Sequence, residues 1–374
     1  MQIPFVNLRQ QHLPLLSQIQ GLVSELLETN IVMGGEAIRR FESEFANYIG
    51  VKYAVSCANA TDALEVVLRA WEIKSGDEVI VPANGWMSAA EAVLLVGATP
   101  VFVDNNPESY SLDEGLIEEK ISIRTKAIIP IHLYGNPVKM PIVCKIAERY
   151  SIPVLEDCAQ AHGATIKGRK VGSWGQAGIY SFYPTKNLGA LGDGGMIVTS
   201  DKSLADKCRA IANHGQSFPG KHERLGRNSR MDDLQAKILS LKLPHLDLWN
   251  NRRRQIADYY LKSWADLPVT LPSASENAVW HLFVAKVQNR DQVINELAKS
   301  EVATKIHYPI PVCQQFIFEK YRKQGECFPN AEKDAPQLLS LPVYPELSDS
   351  EVEFIVKTFR AVIEADNTYR QSTY

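Results

Sequence analysis

The chain has six cysteines in 374 residues (Cys57, Cys144, Cys158, Cys208, Cys313, Cys327), none in a Cys-x-x-Cys pair and none in a framework spacing. That excludes a disulfide scaffold and leaves a structural metal without a recognisable ligand set, so no metal is expected. The same usage fits a reducing compartment, and the chain is expected to be cytoplasmic. No apolar run approaches the roughly 20 residues of a membrane-spanning helix. The start, Met1-Gln-Ile-Pro-Phe-Val-Asn-Leu-Arg9, lacks the basic stretch and apolar segment of a secretory signal. Charge excess is missing too: a formal net charge of −3 gives no electrostatic case for nucleic acid or an anionic membrane. Arg252-Arg253-Arg254 is the only basic run of note, and it reads as a solvated helix face. Internal repeats and low-complexity tracts are absent, which excludes a solenoid.

What remains, 45% hydrophobic and 22% charged, is the make-up of ordinary buried cores. From Tyr53 to Thr199, short β-rich runs alternate with helical ones. Tyr53–Cys57, Glu78–Val81, Pro100–Val103, Lys126–Ile131, Ile152–Glu156, Ile179–Tyr183 and Met196–Thr199 read as strands. Helices are expected after Ala60-Thr61, over Ser88–Val96 and over Met140–Tyr150, and earlier over Pro14–Gly50 with a break at Met33-Gly-Gly35. This is the signature of an α/β fold with a mainly parallel sheet wrapped by helices. After about Trp249 the alternation weakens. A long polar helix over Asn250–Trp264, an apolar strand over Trp280–Val287 and helices over Asp291–Lys299 and Asp349–Ala361 suggest a smaller α+β domain. The expected division is 1–249 and 250–374.

The stretch from Ser181 to Gly195 places one lysine among glycines just after an apolar run. Pro184 stops the ladder, and Gly189, Gly192, Gly194 and Gly195 are expected to let the backbone loop tightly. Lys186 then sits on a loop beyond a strand. In a partly dry pocket its pKa falls and its neutral amine can form a Schiff base with a carbonyl; a solvated surface lysine is the competing reading.

Ligands of open α/β sheets bind beyond the carboxyl ends of the strands, so the residues following each apolar run are the candidates. Ala60 and Thr61, at a helix start, offer N–H groups to a phosphate, although Thr61 could equally be a cap. Trp86 could stack on a flat ring or be a core tryptophan. Asp157 and Gln160 follow a buried strand, where a carboxylate needs a cationic partner; a helix cap is the alternative for Asp157. Phosphate cradle, stacking ring, carboxylate and amine together are what pyridoxal 5′-phosphate requires of a protein.

The motifs Asn59-Ala-Thr-Asp-Ala-Leu64, Gly97-Ala-Thr-Pro-Val-Phe-Val-Asp104, Glu156-Asp-Cys-Ala-Gln-Ala-His-Gly-Ala164, Ser181–Gly195 and Gly226-Arg-Asn-Ser-Arg-Met-Asp-Asp-Leu-Gln-Ala236 are long and ordered. Through them the chain resembles, nearly end to end, the DegT/DnrJ/EryC1/StrS sugar aminotransferases. The resemblance implies the type I aminotransferase fold, with a seven-stranded sheet and a smaller C-terminal domain. It implies that Lys186 bonds covalently to the cofactor, Asp157 pairs with the pyridine nitrogen and Gln160 meets the ring hydroxyl. Ala60, Thr61 and Ser181 would hold the phosphate and Trp86 would stack on the ring. Asn228, otherwise readable as a turn residue, would reach the phosphate from the neighbouring subunit of a homodimer with shared sites. Tyr183, His307 and Tyr308 are the substrate-side candidates, and Cys313 stands near where the family commonly has histidine.

The implied reaction moves an amino group from L-glutamate to a nucleotide-linked keto sugar. Asn228-Ser-Arg and the lysine stretch look most like the branch acting at C3 of a dTDP-linked 3-keto-6-deoxyhexose. A UDP-2-acetamido-3-keto uronic acid aminotransferase has overlapping motifs. A sugar 3-dehydratase of the family would carry histidine in place of Lys186. A silent regulatory homologue is opposed by the intact Lys186, Asp157 and Gln160.

Overall fold

The computed structural model describes residues 2–273, 275, 277–322 and 325–372. Its centre is a sheet of β1 (Tyr53–Cys57), β2 (Glu78–Pro82), β3 (Thr99–Val103), β4 (Thr125–Ile128), β5 (Leu155–Asp157), β6 (Ala177–Ser181) and β7 (Gly195–Thr199). Ladders join β3-β2-β4 and β5-β6-β7-β1, and parallel bridges Ile128–Val154 and Ile131–Asp157 connect the two halves. The resulting order is β3-β2-β4-β5-β6-β7-β1, with only β7 antiparallel to its neighbours. The expected mainly parallel sheet of seven strands is therefore present.

Burial on both faces explains why these strands read as continuous apolar runs. Alternate residues feed different cores. Val55, Val79, Val81, Ile179 and Ile197 face a cluster with Leu64, Val67 and Leu68 of helix Ala60–Ala70 and Leu204 of helix Lys202–Ala212. Ala54, Tyr180, Met196 and Val198 face Phe41 and Phe45 of helix Glu36–Ile49, while Ile80 faces Val143 of helix Met140–Tyr150. Each fully buried Val or Ile contributes about 1.5–3 kcal/mol, so a one-residue register slip would be ruinous.

Helix Leu246–Ser263 leads out of this body. Leu246 packs in the sheet's core, whereas Ile256, Ala257 and Tyr260 join a separate cluster with Phe283, Leu297, Leu341, Ile355 and Phe359. That cluster is built on the antiparallel pair β8 (Phe283–Lys286) and β9 (Leu338–Leu341), with helices Arg290–Lys299 and Asp349–Ser372.

Two strand expectations are corrected. The strand expected to begin at Trp280 begins at Phe283, because Trp280 adopts φ 45°, which a ladder does not accommodate. The strand before Lys186 ends at Ser181 rather than Tyr183. Between β6 and β7 the backbone does turn and bend as expected, although none of Gly189, Gly192, Gly194 and Gly195 has positive φ. Gly189 permits it by close approach: a Cβ there would lie 2.3 Å from the Pro184 carbonyl oxygen.

Candidate active site

Because six strands run parallel, their carboxyl ends share one edge, and β7 begins there. A cavity of about 870 Å³ at this edge is lined by Ala60, Thr61, Trp86, Asp157, Gln160, Ser181, Tyr183, Lys186, His307 and Tyr308, ten of the eleven residues singled out from sequence. Asn228 is the exception.

The anion end is the start of helix Ala60–Ala70. Asn59 is the cap, its side chain accepting from the Asp62 N–H at 2.8 Å, so the cap role considered for Thr61 is taken. The N–H groups of Ala60 and Thr61 belong to the helix's first turn, where no intrahelical acceptor exists, and the helix dipole adds to their attraction for an anion. Thr61 Oγ1 instead bonds Ser88 Oγ at 3.0 Å. Ser88, first residue of helix Ser88–Leu95, also lines the cavity and was not anticipated.

Asp157 is 6% exposed and accepts the Ala159 N–H at 3.0 Å. Among the described residues no cation lies within ion-pair distance of it. Burial raises its pKa, opposed by that hydrogen bond and by the charges of Lys186 and His132. No helix follows it, so the cap reading fails. What this carboxylate lacks is a buried cation.

Its neighbour Glu156 is different. Fully buried, it accepts from the N–H groups of Gly172 (2.8 Å), Trp174 (2.7 Å) and Gly175 (2.8 Å), and from His132 Nε2 at 3.2 Å. His132 Nδ1 in turn accepts the Val138 N–H at 3.1 Å. These bonds, with Cys158 Sγ donating to the Glu156 carbonyl oxygen at 3.8 Å, commit the His132, Glu156 and Cys158 group to the fold rather than to a metal ion.

Gln160 is clamped at both ends: Oε1 accepts the Tyr134 N–H at 2.7 Å and Nε2 donates to the Tyr308 hydroxyl at 3.1 Å. One amide hydrogen remains to meet a ring hydroxyl. Trp86 is 59% exposed, its ring 5.7 Å from that of Tyr308. Lys186 is half-buried on the loop after β6. Burial lowers its pKa to about 8, with Asp157 acting in the opposite direction. Next to it, burial and Lys186 push His162 down to about 3, so this ring is a neutral spacer against Tyr180 and Phe182.

The Gly226–Arg230 segment divides. Arg227 pairs with Asp62 at 2.7 Å and with Glu65 of the phosphate-end helix, and Ser229 Oγ accepts the Ala58 N–H at 3.1 Å just ahead of it, so both tie the segment to their own chain's phosphate end. Asn228, between them, is exposed, its Oδ1 accepting from Arg230 Nε at 3.0 Å, and it lies outside the wall of its own cavity. Cys313 is fully buried in the sheet's core and does not line the cavity.

The model of the DegT/DnrJ/EryC1/StrS aminotransferase family matches residues 15–360. The chain belongs to that family. It is 45% identical over 372 residues to a dTDP-3-amino-3,6-dideoxy-α-D-galactopyranose transaminase of Aneurinibacillus thermoaerophilus, covering 98% of this chain and 99% of the relative. It is 44% identical over 363 residues to a UDP-N-acetyl-3-dehydro-α-D-glucosamine 3-aminotransferase of Acidithiobacillus ferrooxidans, covering 96% and 98%. The crystal structure of S. venezuelae DesV in complex with a ketimine intermediate superposes with a TM-score of 0.94 at 37% identity, covering 97% of this chain and 99% of that one. The protein is thus a pyridoxal phosphate-dependent aminotransferase of type I fold.

The cavity fits that cofactor on its own terms. The helix start offers N–H donors to a phosphate, and the uncompensated Asp157 awaits a protonated ring nitrogen. The lowered pKa of Lys186 supplies a neutral amine near neutral pH. Tyr134, His281 and Thr185 complete the surroundings and carry no local sequence signal: Tyr134 acts through its backbone N–H, and His281 arrives from the segment just before β8.

Proposed function

We propose that the protein transfers an amino group from L-glutamate to C3 of a nucleotide-linked 3-keto sugar, a dTDP-linked 3-keto-6-deoxyhexose in the first instance. The observation that carries this reading is the cavity, which combines an amine, an unpaired carboxylate and an anion cradle, in a chain about equally identical to two relatives named for 3-amino or 3-dehydro sugars. Those relatives differ in nucleotide and in the substituent at C2, so position 3 is their common element.

The cofactor, when bound, supplies an aldehyde for amine exchange and a ring that accepts electrons. Lys186 would hold it covalently and, once released, carry a proton between cofactor and substrate carbon. Asp157 would keep the ring nitrogen protonated. Ala60, Thr61 and Ser181 would hold the phosphate, Gln160 the ring hydroxyl and Trp86 the ring face. Tyr183, His307 and Tyr308 would face the sugar.

We further propose a homodimer in which Asn228 completes the partner's phosphate site. Its exposure away from its own cavity supports this, as does an exposed apolar strip, Leu16, Val23, Leu27 and Ile31. The division into a cofactor domain over 1–249 and a smaller domain over 250–374 is supported by the separate apolar cluster around Tyr260 and Phe283. A cytoplasmic location agrees with six free cysteines and with the absence, among the described residues, of a helix long and apolar enough to cross a membrane.

The test is incubation with L-glutamate and a panel of dTDP- and UDP-linked 3-keto and 4-keto sugars, following 2-oxoglutarate. Turnover of a dTDP-3-keto-6-deoxyhexose in preference to the others is expected. Turnover confined to 4-keto sugars would refute the assignment.

A further inference from the structure

Tyr134 lies between β4 and helix Met140–Tyr150 and adopts φ 60°, a left-handed conformation that a bulky side chain rarely takes. Such backbone persists where its surroundings over-determine it, and it concentrates at functional sites. Here the Tyr134 N–H donates to Gln160 Oε1 at 2.7 Å, and the Tyr134 carbonyl oxygen accepts the Leu282 N–H at 3.2 Å. The buried phenol donates to the His307 carbonyl oxygen. Gln160 follows β5, whereas Leu282 and His307 come from the C-terminal part of the chain, and all three border the same cavity.

These bonds close a circuit. An N–H cannot accept, so the Tyr134 N–H fixes which end of the Gln160 amide faces it, and Nε2 is left to donate to the Tyr308 hydroxyl at 3.1 Å. Tyr308 is joined covalently to His307, whose carbonyl returns to the Tyr134 phenol. Having accepted from Gln160, the Tyr308 hydroxyl keeps its own proton for another acceptor. Among the described residues there is none, so that proton is available to the cavity that Tyr308 walls. Burial pushes this hydroxyl up to about 12, with Gln160 opposing, so it stays protonated at neutral pH. On its other side the segment is tied to β9: Lys305 and Ser340 exchange backbone bonds of 3.2 and 2.8 Å, and His307 Nδ1 lies 2.8 Å from Ser340 Oγ.

We propose that Tyr134 is a positioning residue of the reaction: its backbone N–H aims the Gln160 amide, and its phenol holds the His307–Tyr308 segment so that the Tyr308 proton is presented to an oxygen of the sugar. The assignment to a sugar oxygen rests on the function proposed above, since a keto sugar offers carbonyl and hydroxyl oxygens that accept such a bond. The two halves of Tyr134 have separable duties. The backbone serves the residue assigned to the cofactor ring, and the side chain serves the substrate side, so deleting the phenolic oxygen alone disturbs one and spares the other.

The test uses the cofactor-loaded protein with Tyr134→Phe, which keeps the ring and the backbone N–H. Hydrogen–deuterium exchange, read by peptide mass spectrometry, should quicken about tenfold in the peptide spanning 305–312 and stay as it was in that spanning 155–162. Cofactor affinity, from absorbance titration, should stay within about threefold, because Gln160 keeps its backbone partner. The half-saturating keto-sugar concentration, in the half-reaction started from the amine form of the cofactor, should rise about tenfold while the limiting rate moves less. Tyr308→Phe opens the circuit at its other end. The double variant should bind sugar about as poorly as the worse single variant, since links of one circuit are not additive. Losses that multiply, unaltered exchange at 305–312, or a cofactor affinity that falls as far as sugar binding would each overturn the proposal. If Tyr134→Phe does not fold, Tyr308→Phe decides by the same exchange experiment, and unaltered exchange at 305–312 there counts against it. A wild-type protein that aminates no keto sugar would refute the function, whereas the exchange data would still decide the role of Tyr134.

Discussion

Gly195, the first residue of β7, lies so close to Asn59 that a Cβ on it would stand 2.4 Å from the Asn59 carbonyl carbon and oxygen and 2.9 Å from the Ala60 nitrogen. The glycine lets the start of the phosphate-end helix rest directly on the sheet. Gly195→Ala must push that backbone away, and backbone yields less readily than a side-chain tip. Overpacking of this kind costs about 1–3 kcal/mol. Because the displaced N–H groups are those offered to the phosphate, cofactor affinity should fall about tenfold or more while the fold survives. Absorbance titration of the cofactor-free protein measures this, and an unchanged dissociation constant would contradict the role given to the helix start.

The lowered pKa of Lys186 has a sign that can be tested. With a pKa of about 8, about a tenth of this amine is neutral at pH 7, against about 0.03% for a lysine near 10.5. Pulse acylation of the cofactor-free protein, read by peptide mass spectrometry, should label Lys186 with a midpoint near pH 8 and the surface lysines well above it. The folded pKa is below the unfolded one, so between about 8 and 10.5 the unfolded chain holds the extra proton and rising pH favours the folded state. Lys186→Met should remove that gain. A wild-type protein with no stability advance over Lys186→Met between pH 8 and 10 would contradict the burial argument.

How much of this was legible in the sequence depends on where each signal lay. Strands β1 to β7 could be found because burial on both faces writes a continuous apolar run, and Lys186, Asp157 and Gln160 because each lies at or a few residues beyond the end of such a run. Backbone-to-backbone proximity was not legible: the glycines near Lys186 suggested a tight loop, but not which backbone would rest against Gly189 and Gly195 in the space of a missing Cβ. Arg253, expected on a solvated helix face, is buried at 4% exposure, for a related reason. Local composition showed three adjacent arginines, whereas helical geometry points neighbouring residues about 100° apart, so one of them can be buried while its neighbours remain partly exposed. Tyr134 and Ser88 act through a backbone N–H and a hydroxyl in unremarkable surroundings, and only the assembled cavity reveals them.

Asp157→Asn keeps the shape of the buried side chain and removes its charge. The cofactor should still bind and the protein should remain yellow. Activity should drop by about 10²–10³-fold, since a charge placed where the reaction develops its own is commonly worth that much. Lys186→Ala should also retain cofactor through the phosphate end, but borohydride reduction should no longer fix it to the chain, and turnover should vanish. Near-normal activity in Asp157→Asn would move the electron-sink role elsewhere, and residual transamination in Lys186→Ala would remove Lys186 from its assignment.

Asn228 decides the assembly. Its neighbours Arg227 and Ser229 grip Asp62 and Ala58 of their own chain, while Asn228 itself is exposed and outside its own cavity. If it serves the partner's phosphate site, a monomer has an incomplete cradle, and cofactor affinity must depend on protein concentration through mass action. Mixing inactive Lys186→Ala with an inactive Asn228→Ala, Ser181→Ala double variant gives hybrid dimers that separate the alternatives. With Asn228 acting across the interface, one hybrid site combines Lys186→Ala with Asn228→Ala, and the other carries only Ser181→Ala. The second should recover part of the activity. With Asn228 acting within its own chain, both lesions of the double variant stay in one site and the mixture remains as inactive as its components. The assay is turnover after subunit exchange, and a mixture that stays inactive although exchange is demonstrated would refute the shared site.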